Sequence, residues 1–250
     1  MDRPANAGAR GAPTADPAKV PSWNKPDAAS LESAAREQRP IVLYFPAEKD
    51  SDFDIYGDDW AQLSKEDALF IKVPYTADRE KSPWSENSVI PTNKLLSPNP
   101  SLEYGIAVGK ADLLVCDWFG NKYFAPGAKV KADALKALIG KVKDEADKAD
   151  KKLAKTLEKA QQQIEKKDDK GAVKSLLSNF KTGYYGLPSQ EASVKLYREI
   201  MDAGRERIKE MHEKGDTEGL KGIAKDYKGT DLEKEANEAL KNPNTQGRKG

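Results

Sequence analysis

The 250-residue chain carries 42 Lys and Arg against 41 Asp and Glu, a formal net charge of +1. That balance excludes a global electrostatic pull toward nucleic acid or an anionic membrane. No apolar run approaches the roughly 20 residues of a membrane span, and the single cysteine, Cys116, excludes an intrachain disulfide and a Cys-rich metal site. With 38% hydrophobic and 33% charged residues, the composition suits one large or two small domains with a modest core and long solvated helices.

Residues 1–21 are rich in Ala, Pro and Gly without apolar periodicity and read as a disordered leader. They contain no signal-peptide hydrophobic segment. Order is expected from Trp23, an anchor for the leader. A helix over Ala28 to Glu37 follows, capped by Asp27 or Ser30, with Leu31 and Ala34 or Ala35 turned inward. Ile41 to Phe45 is a continuous apolar run, the pattern of a strand buried on both faces, and Pro46 stops it.

An acidic loop comes next, with Glu48, Asp50, Asp52, Asp54, Asp58 and Asp59 crowding the start of a helix over Phe53 to Leu63. Asp50, Asp52 and Asp54 have the spacing of the first three ligands of a calcium loop. Ile55 and Ala61, however, stand where an EF-hand needs Gly and Glu, so the carboxylates read as helix caps, with cation binding as the alternative. Ile55, Trp60 and Leu63 are the inward candidates.

Ala68 to Tyr75 is the second main strand, with Leu69, Ile71 and Val73 alternating against Phe70 and Lys72. Thr76 to Pro100 is a polar, proline-rich loop with one helical turn around Thr92 to Leu96, a candidate partner surface. Leu113 to Cys116 is a strand, Phe119 to Lys122 a hairpin turn, and Lys122 to Ala125 the start of the last strand. Ala132 to Val142 gives a closing helix, with Leu135, Leu138, Ile139 and Val142 at helical spacing.

From Asp144 to Lys167 the sparse apolar positions Leu153, Leu157 and Ile164 predict a long exposed helix continuing from the closing one. An internal echo follows: Glu165 to Ala172 aligns with Glu213 to Leu220 at an offset of 48 residues, 213 − 165. Each copy reads as a helix end, an acidic turn and a second helix ending at an aromatic residue, Phe180 or Tyr227. Residues 144–241 are thus expected to form helical hairpins, and 242–250 a disordered tail.

The order of helix, buried strand, short loop and helix, with Phe45-Pro46-Ala47-Glu48 leading into the loop, resembles the front half of a thioredoxin-like domain. The segment Tyr104-Gly105-Ile106 resembles the part of that family before its third core strand. The resemblance covers residues 22–143. It implies an α/β, three-layer thioredoxin-like sandwich, a mixed central sheet flanked by helices, followed by an all-α helical-hairpin region. The 165–240 echo is similar to a tetratricopeptide-like repeat, though two copies fall below the roughly three that a free-standing solenoid needs.

In the thioredoxin-like family the strand leads into W-C-x-x-C. Here Lys49 stands at the tryptophan position, Asp50 and Phe53 at the two cysteine positions, and Ala111 at the proline that faces them. Thiol–disulfide exchange needs an accessible thiolate, and Cys116 lies on a core strand. The resemblance therefore implies a non-catalytic protein-binding module without cofactor or metal. Its groove would be formed by Phe45, Pro46, Asp50, Ser51, Asp52, Phe53, Lys110 and Ala111.

A second candidate face carries Phe180, Tyr184, Tyr185, Leu187 and Tyr227; for the two adjacent tyrosines core filler between helices is the favoured reading. The alternatives are residual thiol handling through Cys116 and a cation-binding module using the acidic loop. His212, the chain's only histidine, sits near a helix end without a nucleophile beside it. The expected partner is a protein, with no nucleic acid and no membrane span. By resemblance to exported bacterial proteins the location is periplasmic or cell-envelope if a signal peptide was removed, and cytoplasmic otherwise.

Overall fold

In the computed structural model, Ile41–Phe45 (β2) is the central strand of a five-stranded mixed sheet of order β1-β3-β2-β4-β5. The structure describes residues 16–49, 55–80 and 89–242. Trp23–Asn24 (β1) and Leu69–Lys72 (β3) run parallel to one another, and β3 runs parallel to β2. Asp112–Cys116 (β4) and Lys122–Phe124 (β5) add antiparallel pairings on the other side. The chain divides into two compact units. Unit 1 comprises residues 1–78, 100–118 and 122–142; unit 2 comprises 79–99, 119–121 and 143–250.

In unit 1, all five residues of β2 are buried, as an apolar run flanked on both sides by strands requires. Val42 and Tyr44 join Phe70, Leu113 and Val115 in one core with Trp60, Leu63, Leu135 and Ile139. Ile41, Leu43 and Phe45 alternate to the opposite face and are equally buried. Trp23 packs its ring 5.5 Å from Tyr44 and 5.6 Å from Phe70, the anchoring role expected of it.

Ala28–Glu37 (α1) begins at Asp27, whose carboxylate accepts the Ser30 N–H, and buries Leu31 and Ala34. Asp58–Glu66 (α2) starts later than the expected Phe53, because Gly57 takes φ +134°, outside helical geometry. Asp58 and Asp59 fill its first turn, where carboxylates oppose the positive helix end. Arg39 closes its other end, donating to the Ser64 and Lys65 carbonyls at 2.9 and 2.7 Å. β3 is shorter than the expected Ala68 to Tyr75, and of its expected outward pair Phe70 is buried, 0% exposed, and Lys72 half-buried. β1 and β2 flank both edges of β3, and Phe70 packs in the core with Trp60 and Leu63 while Leu69 and Ile71 are buried too, so simple alternation does not describe it.

The expected leader ends earlier than residue 21. Asp16 caps a 3-10 turn over Pro17–Lys19, and the Lys19 carbonyl accepts the Gly57 N–H at 2.9 Å. A short helix at Pro100–Glu103 (α3) precedes β4, and Ala132–Ile139 (α4) closes the unit. The chain does not run on as one helix from there. The Gly140 and Lys141 N–H groups turn back onto Lys136 and Leu138, and a new helix starts at Val142.

Unit 2 is built on Val142–Glu165 (α5), whose first residue, Val142, is still in the core of unit 1, and on Asp169–Phe180 (α6), Pro188–Lys214 (α7), Thr217–Asp226 (α8) and Asp231–Lys241 (α9). α5 is not simply an exposed helix. Ala146, Ala149, Leu153, Leu157 and Ala160 form a buried stripe at three- and four-residue spacing. The 48-residue echo is a structural repeat of the turn. Lys167 and Gly215 both take left-handed φ, +60° and +69°. The Asp168 and Asp216 amides both donate back to the preceding helix, to Gln163 and Met211, at 2.8 Å. Their carboxylates then accept the Gly171 and Gly219 N–H groups, both at 2.9 Å. The segment at 89–99 belongs to this unit, with a 3-10 turn over Lys94–Leu96 capped by Asn93, and Ile90 packs against the helical core.

Candidate functional site

The sheet end that the sequence singles out lies in unit 1. The register pairs Phe45 with Asp112, so Pro46 and Ala111, the next residues out on their strands, share that end. Phe45 is 1% exposed and its ring meets Tyr104 at 5.8 Å, and Pro46 is buried. Both therefore underlie the surface rather than form it, a correction to their expected place in a groove. Lys110 is exposed and Ala111 half-buried, so these two reach solvent. Asp50, Ser51, Asp52 and Phe53 lie outside the described residues, as does the core of the candidate calcium loop. Among the described residues no group of three or more His, Cys, Asp or Glu could hold a metal ion.

Cys116 sits at the end of β4, paired with Ile41 of β2 and Lys122 of β5, and is 0% exposed. Asp117 next to it is buried and accepts a hydrogen bond from the Tyr123 hydroxyl at 3.2 Å. Burial pushes the Tyr104 phenol well above its ordinary range, and the neighbouring Cys116 and Asp117 add to that. A thiol, a carboxylate and a phenol buried in this way do not form a nucleophile–base pair open to substrate. His212, in the last turn of α7, donates from Nε2 to the Asn242 carbonyl at 2.7 Å, a helix-end contact.

The second candidate face, in unit 2, divides. Phe180, Leu187 and Tyr227 are 4%, 2% and 3% exposed, so they are core residues and not an interface. Phe180 meets Tyr197 edge-on at 5.2 Å. Tyr227 lies under the Arg207 guanidinium, which is hydrogen-bonded to its hydroxyl and paired at 3.0 Å with Asp169; the hydroxyl also donates to Asp169. Tyr184 and Tyr185 are half-buried and line a cavity of about 430 Å³.

That cavity lies between the segment Ile90 to Leu96 and the first turns of α7, with Gln190, Glu191, Val194 and Arg198 along the helix. Its size falls in the range of small-ligand sites. Gln190 is 1% exposed, and neither its Nε2 nor its Oε1 has a hydrogen-bond partner among the described residues. Sequence reading did not single it out, although the signal was present. Val194, Tyr197 and Met201 mark the buried stripe of α7, and four residues before Val194 the stripe reaches Gln190.

A family scan, a search of curated proteins and a search of solved structures each return no match to this chain.

Proposed function

We propose that the chain is a redox-inactive, thioredoxin-like protein-binding module carried with a tetratricopeptide-like helical region. The observation that carries this reading is the place of Cys116: the chain's only thiol is fully buried in a strand paired on both edges. Exchange chemistry needs a thiolate that can reach a disulfide sulfur along its axis, and burial of this kind denies it. The thioredoxin-like part of the reading is supported by the mixed sheet with helices between its parallel strands. It is also supported by the meeting of Pro46 and Ala111 at one sheet end. The repeat-like part draws on the two turns that share their capping bonds at a 48-residue offset, Asp168 to Gly171 and Asp216 to Gly219.

In this reading, partner contact at unit 1 falls to the exposed residues around Lys110 and Ala111, with the buried Phe45 and Pro46 fixing the backbone beneath. The test is labelling of Cys116 by a disulfide reagent in the folded protein, read beside reduction of insulin. The thiol is expected to stay unlabelled until denaturant is added, and insulin to remain intact. Rapid labelling together with insulin reduction would overturn the proposal.

A further inference from the structure

We propose that the cavity beside α7 binds a short stretch of extended polypeptide, about three residues long, whose backbone is read by the Gln190 carboxamide. The inference rests on unit 2 alone, so it stands or falls separately from the thiol chemistry of unit 1.

A carboxamide offers two donors and an acceptor, and leaving both ends unpaired in a buried place is costly. Gln190 does this at 1% exposure, on the wall of a 430 Å³ cavity. The same unit shows what such a group does when it has a partner. Asn121 donates from Nδ2 to the Tyr185 carbonyl and accepts the Tyr185 N–H on Oδ1, both at 2.8 Å. One carboxamide thus holds both backbone groups of one residue. An extended chain presents the N–H and C=O of a single residue to the same side, so Gln190 is shaped for the same contact with a chain that enters the cavity.

The charges along α7 set length and direction. Glu191 and Arg198 line the cavity seven residues apart, and neither side chain has a hydrogen-bond or ion-pair partner among the described residues. At 1.5 Å per residue their positions are roughly 10 Å apart along the helix axis, the span of about three residues of extended chain. A positive group is favoured at the Glu191 end and a negative group at the Arg198 end. Val194 supplies apolar wall between them on the helix, and Ile90 and Pro91 line the cavity from the 89–99 segment. A nucleotide would also satisfy the carboxamide through a base edge. Its phosphate, however, would find one arginine and an opposing glutamate rather than a basic cluster.

The experiment uses the full isotope-labelled chain, titrated to millimolar concentration with trialanine, with N-acetyl-trialanine-amide and with adenosine monophosphate. The side-chain amide signals of Gln190 are followed in the wild type, and the backbone amide signals of Glu191 and Val194 in both the wild type and Gln190→Met. Trialanine is expected to move those signals saturably, and Gln190→Met to weaken it at least tenfold while leaving the thermal midpoint unchanged or higher. Binding of the capped peptide as tight as that of the free one assigns the site to an internal stretch of chain. A preference for the free peptide assigns it to a short peptide with both termini, and either supports the proposal. Failure of both peptides to saturate, equal affinity in Gln190→Met, or tighter binding of the nucleotide would overturn it. So would a Gln190→Met protein that does not fold, since the carboxamide would then be a structural group.

Discussion

Asp150 shows how far a single side chain can act from its place in the chain. α7 begins with Leu187 at its cap position, which has no side-chain acceptor, and with Pro188 in its first turn. Asp150, on α5, fills the gap: its carboxylate accepts both the Ser189 N–H at 2.8 Å and the Ser189 hydroxyl at 3.1 Å. The Asp27 cap of α1 was legible in the sequence because Ser30 lies three residues on. The Asp150 cap was not, because its partner is 39 residues away. Gln190 is a related case: the buried stripe of its helix marks the position as inward, but nothing local shows that its carboxamide lacks a partner. Replacing Asp150 by Ala leaves the start of α7 uncapped and is expected to cost about 1–2 kcal/mol. Asp150→Asn keeps an acceptor and should cost less. Urea midpoints of the two variants give the comparison, and equal midpoints for wild type and Asp150→Ala would dismiss the cap.

At the scale of elements, the repeated turn was readable, and the buried face of α5 and the break before it were not. The echo survives in sequence because each copy needs the same local devices. These are a left-handed residue, an aspartate whose carboxylate accepts an N–H three residues on, and a glycine at that N–H. Side chains at Gly171 or Gly219 would collide with the capping aspartate, at 2.1 and 2.5 Å from a Cβ. α5 hides its buried face because three of its inward residues are alanines, which a search for large apolar residues passes over. The break at Gly140 was missed for the opposite reason: the apolar spacing from Leu135 to Val142 continues across it, and only the backbone turns. The two caps act locally. Asp168→Ala is expected to speed amide exchange at Gly171 by roughly the fivefold to tenfold that a cap of about 1 kcal/mol implies, leaving Gly219 unchanged. Asp216→Ala should do the reverse. Exchange that accelerates at both amides in either variant would mean that the two turns open together.

Across the whole molecule, alternation of strands and helices gave the α/β class, because runs such as Ile41 to Phe45 carry their burial in their own composition. The assignment of 79–99 and 119–121 to the helical unit was not legible, since it depends on contacts such as Asn93 Nδ2 to the Phe119 carbonyl at 3.1 Å, 26 residues apart. Both units also bury phenols, and this gives them a common response to alkali. Burial raises Tyr104 in unit 1, with Cys116 and Asp117 adding to the shift. In unit 2 it raises Tyr197 to about 12, with Asp231 acting in the same direction and Arg205 against it. Tyr227 is raised as well, chiefly by burial, with Arg207 opposing and Asp169 reinforcing. In the unfolded chain these phenols titrate near 10. Each native value lies above the unfolded one, so the stability they contribute is complete below about pH 10 and is lost as pH climbs through the native values. Urea midpoints are therefore expected to fall between pH 9 and pH 11.5, and to fall less steeply in Tyr197→Phe, which removes one of the shifted groups. A variant whose midpoint declines in parallel with wild type over that interval would show that Tyr197 does not share in the alkaline transition.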